Sequence, residues 1–170
     1  MKKNIYKIVA VIIIILIIIG IYFFKNKEEL IKKEDAGSNK DFHLVITEKL
    51  NIEDLKKYNI PIIISFGSEG CMPCLKMQPT LRLLNNKLKG KAIIKYLDVW
   101  KNPQYAEGFN FEYIPTQIFI DKNGNAYKPE KVTDIKFDYI QNENKDIIYT
   151  THTGYLSEED IIRILEEMGM

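Results

Sequence analysis

Cysteine, histidine and tryptophan are scarce in this chain of 170 residues, at two, two and one. Two cysteines cannot make a four-cysteine zinc site within one chain. His43 and His152 could complete a mixed Cys/His site, but they have no ligand spacing to one another, which argues against a metal. A c-type haem is excluded, because Leu75 follows Cys74 where a histidine would be needed. An excess of one charge is lacking too: 24 basic and 23 acidic residues leave a formal net charge of +1. Nothing in that balance points to nucleic acid.

Charge is missing altogether from Ile8 to Phe24, which is almost entirely Ile, Val, Leu and aromatic. With Ile5 and Tyr6 the run reaches the roughly 20 residues a membrane-spanning helix needs. Lys7 can snorkel to the headgroups, and Tyr22, Phe23 and Phe24 suit the opposite interface. A cleaved signal peptide is the alternative, but no small-x-small site follows the run. The reading is one N-terminal transmembrane helix over residues 1–24, a charged and then Gly-Ser-Asn linker over 25–40, and a globular domain over 41–170. Lys2, Lys3 and Lys7 before the span nearly balance Lys25, Lys27, Lys32 and Lys33 after it. The short N-terminus favours a single-pass signal anchor in the cell membrane with its domain extracytoplasmic. A cytosolic domain is the alternative.

Both cysteines lie in Ser65-Phe66-Gly67-Ser68-Glu69-Gly70-Cys71-Met72-Pro73-Cys74. The nearly continuous apolar run Ile60 to Phe66 precedes them, as expected of a strand buried on both faces. A helical pattern follows: Leu75, Met77, Leu81, Leu84, Leu88. The pair therefore sits at a strand-to-helix junction. Unpaired N–H groups and the helix dipole at a helix N-terminus stabilise a thiolate, the attacking form of cysteine. A second thiol one turn on can resolve a mixed disulfide. A structural staple is the bland alternative, though so short a loop gains little from cross-linking.

The rest of the domain reads as alternating elements. Phe42 to Thr47 is a candidate first strand, and Asn51 caps a helix through Tyr58. The helix after Cys71 runs to about Lys89 with Pro79 inside it, and Gly90 ends it. Ala92 to Val99 is a second buried strand, so strand, helix and strand make a parallel crossover. A short helix is expected from Asn102-Pro103 to about Phe109. The strand Gln117 to Asp121 then leads into a turn at Lys122-Asn123-Gly124-Asn125. Residues 126–153 are polar with spaced aromatics and suggest irregular hairpin structure turning at Gln141 to Lys145. Ser157-Glu158-Glu159-Asp160 caps a last amphipathic helix.

Taken together, Cys71-Met72-Pro73-Cys74, Lys76, Pro79, Asp98-Val99-Trp100-Lys101-Asn102-Pro103, Ile114-Pro115-Thr116, Lys122-Asn123-Gly124 and Gly154-Tyr155-Leu156-Ser157 resemble the thioredoxin family over most of Phe42 to Met170. The resemblance implies an α/β thioredoxin-like fold, a central mixed β-sheet flanked by helices. It implies that Cys71 is the exposed nucleophile and Cys74 the resolving thiol. Pro115 matches the family's cis-proline, and Ile114 before it would offer its main chain to an extended substrate segment. No organic cofactor or metal is implied, since the Cys71–Cys74 disulfide carries the electrons. Partners would be protein disulfides or dithiols and a membrane protein that donates electrons.

Three departures from the family stand out. Gly70 and Gly67 replace its two tryptophans, and the lone Trp100 is expected to swing into the space at Gly67 and cover the disulfide. Ser65 and Tyr96 replace a buried aspartate–lysine pair, a consistent double loss, because either charge alone would be costly to bury. Glu69 is then a candidate proton acceptor for Cys74 through water, or a solvated loop carboxylate. Between Gly124 and Gly154 the chain has roughly 20 residues more than a minimal family member. This insertion at 125–153 is expected at the far end of the sheet, as a partner-docking or structural elaboration, with folding back as the alternative. Pro73 and the neutral Met72 favour a reductase; a disulfide oxidase or isomerase, and a non-enzymatic binding module with a structural disulfide, are the alternatives.

Overall fold

The computed structural model describes Ile19 and residues 39–170. The chain divides between Lys40 and Asp41 into two units. The expected anchor at 1–24 and linker at 25–40 lie outside the described residues, apart from Ile19, Asn39 and Lys40. Among the described residues no helix is long and apolar enough to cross a membrane.

The second unit, Asp41–Met170, is built on a five-stranded sheet. Its strands are β1 (Ile62–Gly67), β2 (Ile93–Asp98), β3 (Thr116–Ile120), β4 (Asp138–Gln141) and β5 (Ile147–Thr153), in the order β2-β1-β3-β5-β4. β1 and β2 run parallel, and every residue of both is buried, which accounts for the apolar run of β1; β2 also buries Lys95 and Asp98. The remaining pairs, β1–β3, β3–β5 and β4–β5, are antiparallel. The sheet is therefore mixed, as expected.

Three α-helices accompany it: α1 (Ile52–Lys56), α2 (Met72–Lys87) and α3 (Glu158–Glu167). The side chain of Asn51 caps α1 by accepting the Glu53 N–H at 3.2 Å. Ser157 and Asp160 form a reciprocal capping box at the start of α3. Alternation along β1 divides the core. Ile63 joins Met77, Leu81 and Leu84 of α2 and Ile161 and Leu165 of α3. Ile62, Ile64 and Phe66 join Leu55 of α1, with Phe109 and Phe111 packed on Phe66 at centroid separations of 5.0 and 4.6 Å.

Three expectations change. The strand over 42–47 shrinks to a single parallel bridge between Val45 and Tyr96, because only Leu44 and Ile46 bond the edge of β2, both at Tyr96. The helix expected through Phe109 is one 3-10 turn, Pro103–Tyr105, after which the chain is drawn across Phe66 by its aromatics. The insertion does not stay at the far end. It leaves the Lys122–Asn125 turn, where Gly124 has φ +79°, and returns beside the sheet to Lys136, whose carbonyl meets His152 Nδ1 at 2.8 Å. It then forms the β4–β5 hairpin, in whose connecting turn Lys145 has φ +67°.

One carboxylate secures that returning segment. Glu167 of α3 accepts the N–H groups of Glu130, Lys131 (2.7 Å) and Val132 (3.0 Å) and the Tyr127 hydroxyl (2.8 Å). Burial opposes the charge on Glu167, but the Lys131, Glu130, Tyr127 and Val132 donors outweigh it and hold the carboxyl below its ordinary value. Burial and then Glu167 raise the Tyr127 hydroxyl, which stays a donor. A carboxyl lowered in the folded state stabilises fully above its unfolded value near 4.5, and loses that contribution as pH falls through the folded value. Glu167→Ala is expected to cost about 1–3 kcal/mol in urea unfolding at pH 7, since it strands several donors at once. The difference from wild type should shrink on acidification below about pH 4.

Candidate active site

The turn after β1 delivers Cys71 to the N-cap of α2, with Met72 and Pro73 in the first turn. Pro73 has no N–H to leave unsatisfied there. The Cys71 sulfur accepts the Cys74 N–H at 3.3 Å, the contact a capping oxygen usually makes. Cys71 and Cys74 are joined as a disulfide with Cα atoms 5.2 Å apart. Their exposures differ: Cys71 is partly open, whereas Cys74 is 1% exposed.

The chain returns to this point through a cis peptide at Ile114–Pro115, and the Ile114 carbonyl oxygen lies 3.7 Å from Cys71 Sγ. Thr116 secures the bend by donating to the Tyr113 carbonyl at 2.7 Å and meeting Thr153 Oγ1 at 3.0 Å. The sequence motifs at 71–74 and 114–115 are thus brought into contact across 43 residues. Met72, Tyr113 and Trp100 form an apolar rim, exposed by 74, 69 and 67%.

Trp100 does not fill the space at Gly67. A Cβ at Gly67 would meet Tyr96 Cε2 at 3.0 Å and Cys74 Sγ at 3.2 Å, so the resolving cysteine and Tyr96 occupy that space. Trp100 lies on Gly70 instead, where a Cβ would fall 2.3 Å from its Cζ3. The buried Asp98 carboxylate fixes the tryptophan's turn by accepting the N–H groups of Trp100 (3.1 Å) and Lys101 (3.0 Å). Glu69 is ion-paired with Lys101 on the exposed loop, which is the solvated-carboxylate reading, and that bond raises the lysine's pKa.

Ser65 and Tyr96 stand opposite one another in the β1–β2 register. Tyr96 accepts a hydrogen bond from Gln78 Nε2 at 3.0 Å. Its hydroxyl is raised by burial, against the Gln78 bond, with further raising by Asp98 and Glu69. Sequence reasoning missed Gln117, which donates to the Gly154 carbonyl at 3.2 Å and touches Met77 Sδ at 3.9 Å, below Cys74. A glutamine within the buried strand Thr116–Ile120 was the available signal. It placed Lys76 in a motif but missed its partner: the ammonium sits 4.4 Å from the centroid of the Tyr155 ring. Among the described residues no group of three or more His, Cys, Asp or Glu side chains is gathered around a metal position.

A two-cysteine disulfide capping a helix beside a cis X–Pro peptide, on a mixed sheet, defines a thiol–disulfide redox protein. The thioredoxin family model matches residues 42–143, more than half of the chain. The chain belongs to the thioredoxin family and is a thiol–disulfide oxidoreductase. Thioredoxin of Rickettsia bellii is 27% identical over 79 residues, 46% of this chain and 74% of that protein. Thioredoxin of Chlorobaculum thiosulfatiphilum is 34% identical over 59 residues, 35% of this chain and 55% of that one. In fold, the chain is similar to a mutant thioredoxin from Halobacterium salinarum NRC-1, with a TM-score of 0.53 and 15% identity over 79% of this chain and 97% of that one.

Gly70→Ala is expected to drive the Trp100 ring off the loop while leaving the fold intact, because the ring is the free end of an exposed side chain. The chain has one tryptophan, so its emission reports on this position alone. Lower fluorescence anisotropy and a red shift, with unchanged far-UV circular dichroism, are the expected result.

Proposed function

We propose that the protein is a membrane-anchored reductase of disulfides in extracytoplasmic proteins, with Cys71 as nucleophile and Cys74 as resolving thiol. The observation that carries this reading is the pairing of an accessible Cys71 sulfur at a helix N-terminus with a buried Cys74 directly behind it. The Cys71 thiolate is stabilised by the N-terminal N–H groups of α2, and attacks a substrate disulfide to form a mixed disulfide. One substrate sulfur leaves as a thiolate. Cys74 then attacks Cys71 Sγ, closing the Cys71–Cys74 bond and releasing the second substrate thiolate. The substrate gains two electrons and the protein loses two.

Ile114 offers its main chain to an extended substrate segment next to the sulfur, held by the cis peptide at Pro115. Met72, Trp100 and Tyr113 supply apolar contact without charge. Pro73 and the uncharged Met72 favour the reducing direction, since neither adds a charge that stabilises the thiolate and so the reduced form. The uncharged run Ile8 to Phe24 supplies the anchor. A membrane protein that carries electrons from the cytoplasm would restore the dithiol. No organic cofactor or metal enters the cycle.

Cys74→Ser is expected to accumulate covalent complexes with protein substrates through Cys71, and Cys71→Ser to accumulate none. Non-reducing electrophoresis reads both. A reduction potential near about −270 mV in a dithiothreitol buffer is expected of a reductase, and a value near about −120 mV would reverse the direction. A disulfide that resists mild reductant, with no trapped complex in the Cys74→Ser protein, would favour the binding module.

A further inference from the structure

Three buried polar atoms on the α2 face of the sheet have no hydrogen-bond partner among the described residues: Ser65 Oγ, Gln117 Oε1 and His152 Nε2. They are not scattered. Ser65 pairs with Gln117 across β1 and β3, and Gln117 pairs with His152 across β3 and β5. Directly opposed residues carry their Cβ atoms about 4.5–5.5 Å apart on one face, so the three form a single transverse row. Tyr96 continues the row on β2, with its hydroxyl already bonded to Gln78.

The β1–β3 end of the row lies below the resolving cysteine, and His152 extends it to β5. Cys74 Sγ sits against Gly67, two residues beyond Ser65 on the same face of β1. Gln117 touches Met77, one turn beyond Cys74 in α2. Cys74 is buried, so its thiol has no direct route to bulk water. Its attack needs somewhere for the proton to go.

We propose that Ser65, Gln117 and His152 hold a proton-carrying water below Cys74 and that His152 receives the Cys74 proton when the mixed disulfide is resolved. The proposal rests on Cys71 being the attacking thiol and Cys74 the resolving one. His152 Nδ1 faces the Lys136 carbonyl at 2.8 Å, and a carbonyl only accepts, so Nδ1 carries the hydrogen and Nε2 a lone pair. Gly154, at φ +134°, leaves that lone pair room, since a Cβ there would stand 3.3 Å from Nε2. Gln117 Nε2 donates to the Gly154 carbonyl, which turns Oε1 into the row as an acceptor. A water between two acceptors can donate one hydrogen to each, and the Ser65 hydroxyl can donate to the water.

The step balances. The Cys74 proton passes through water to His152 Nε2, and Cys74 sulfur bonds Cys71 sulfur. The Cys71–substrate bond breaks, and its electron pair leaves on the substrate thiolate. His152 later releases its proton to solvent. The neighbours of the ring are Phe137, with centroids 6.3 Å apart, Gln117 and Gly154. The nearby charged groups are Lys136, 3.8 Å from Asp138 on the segment entering β4, and Lys76 of α2, stacked on Tyr155. Ser65, Gln117 and His152 are positioning residues, because none touches the reacting sulfurs.

The test mixes full-length reduced protein with excess oxidised glutathione in a stopped-flow instrument from about pH 5 to 8, the range that brackets histidine titration. Mixed-disulfide formation varies with glutathione concentration, whereas resolution does not, so the two phases separate. Wild-type resolution is expected to slow as pH falls, because a proton already on Nε2 leaves no lone pair to receive another. His152→Asn keeps a donor for the Lys136 carbonyl but removes the titrating nitrogen. It is expected to slow resolution about tenfold at pH 7 and to flatten its pH profile. Ser65→Ala and Gln117→Met should also slow resolution several-fold, with the concentration-dependent phase unchanged in all three. A wild type that resolves the mixed disulfide while all three variants match it at every pH overturns the row alone. A wild type that forms no mixed disulfide overturns the dithiol reading beneath it.

Discussion

The Cys71 sulfur occupies the capping position of α2, and most of the molecule serves to keep it there. A helix start leaves backbone N–H groups without partners, and here a sulfur takes one of them, from Cys74. The strand before it must end at the right height, which the fully buried β1 ensures. The helix after it must lie on the sheet, which Met77, Leu81 and Leu84 ensure. The cis peptide at Pro115 brings a carbonyl to the same sulfur from the opposite side. The result is one thiol held between a helix dipole and an open peptide edge, and a second held out of water.

Burying the second thiol creates an electrostatic difficulty. An ionisable pair beside it would need charge balance in a low-dielectric interior, and the sheet supplies neutral polar groups instead: Tyr96, Ser65 and Gln117. Each unpartnered group costs about 1–3 kcal/mol when buried, so a row of them in an otherwise apolar sheet is a liability without solvent or function. Their alignment at one level of three strands, β1, β3 and β5, ties the cost to one row.

The local parts of this arrangement were legible in the sequence. The Cys71–Cys74 pair at a strand-to-helix junction, the Asn51 and Ser157 caps, the parallel crossover and the turn at Gly124 all follow from neighbours in the chain. What was not legible depends on register between distant segments. Gln117 meets Ser65 and His152 only because β3 lies between β1 and β5. Trp100 lies on Gly70, and not at Gly67, because Asp98 sets the turn after β2 and Tyr96 already fills the other space. The strand expected over 42–47 has the right alternation, yet its bonds to β2 run through Tyr96 alone. Pattern shows which face a residue prefers, and tertiary pairing decides whether a ladder forms.

The insertion connects the last helix to the surroundings of the redox pair. A longer turn after β3 could have remained an ornament at the far end of the sheet. Glu167 instead clamps its first part to α3, and Tyr127 and Val132 enter the core. The segment is thereby directed back along the sheet, so that Lys136 reaches His152 and β4 covers the edge of β5. The Lys136 carbonyl fixes which nitrogen of His152 carries the hydrogen, and Phe137 packs against its ring. A carboxylate on the last helix therefore holds the start of the segment whose Lys136 carbonyl meets His152 in the row under the redox pair.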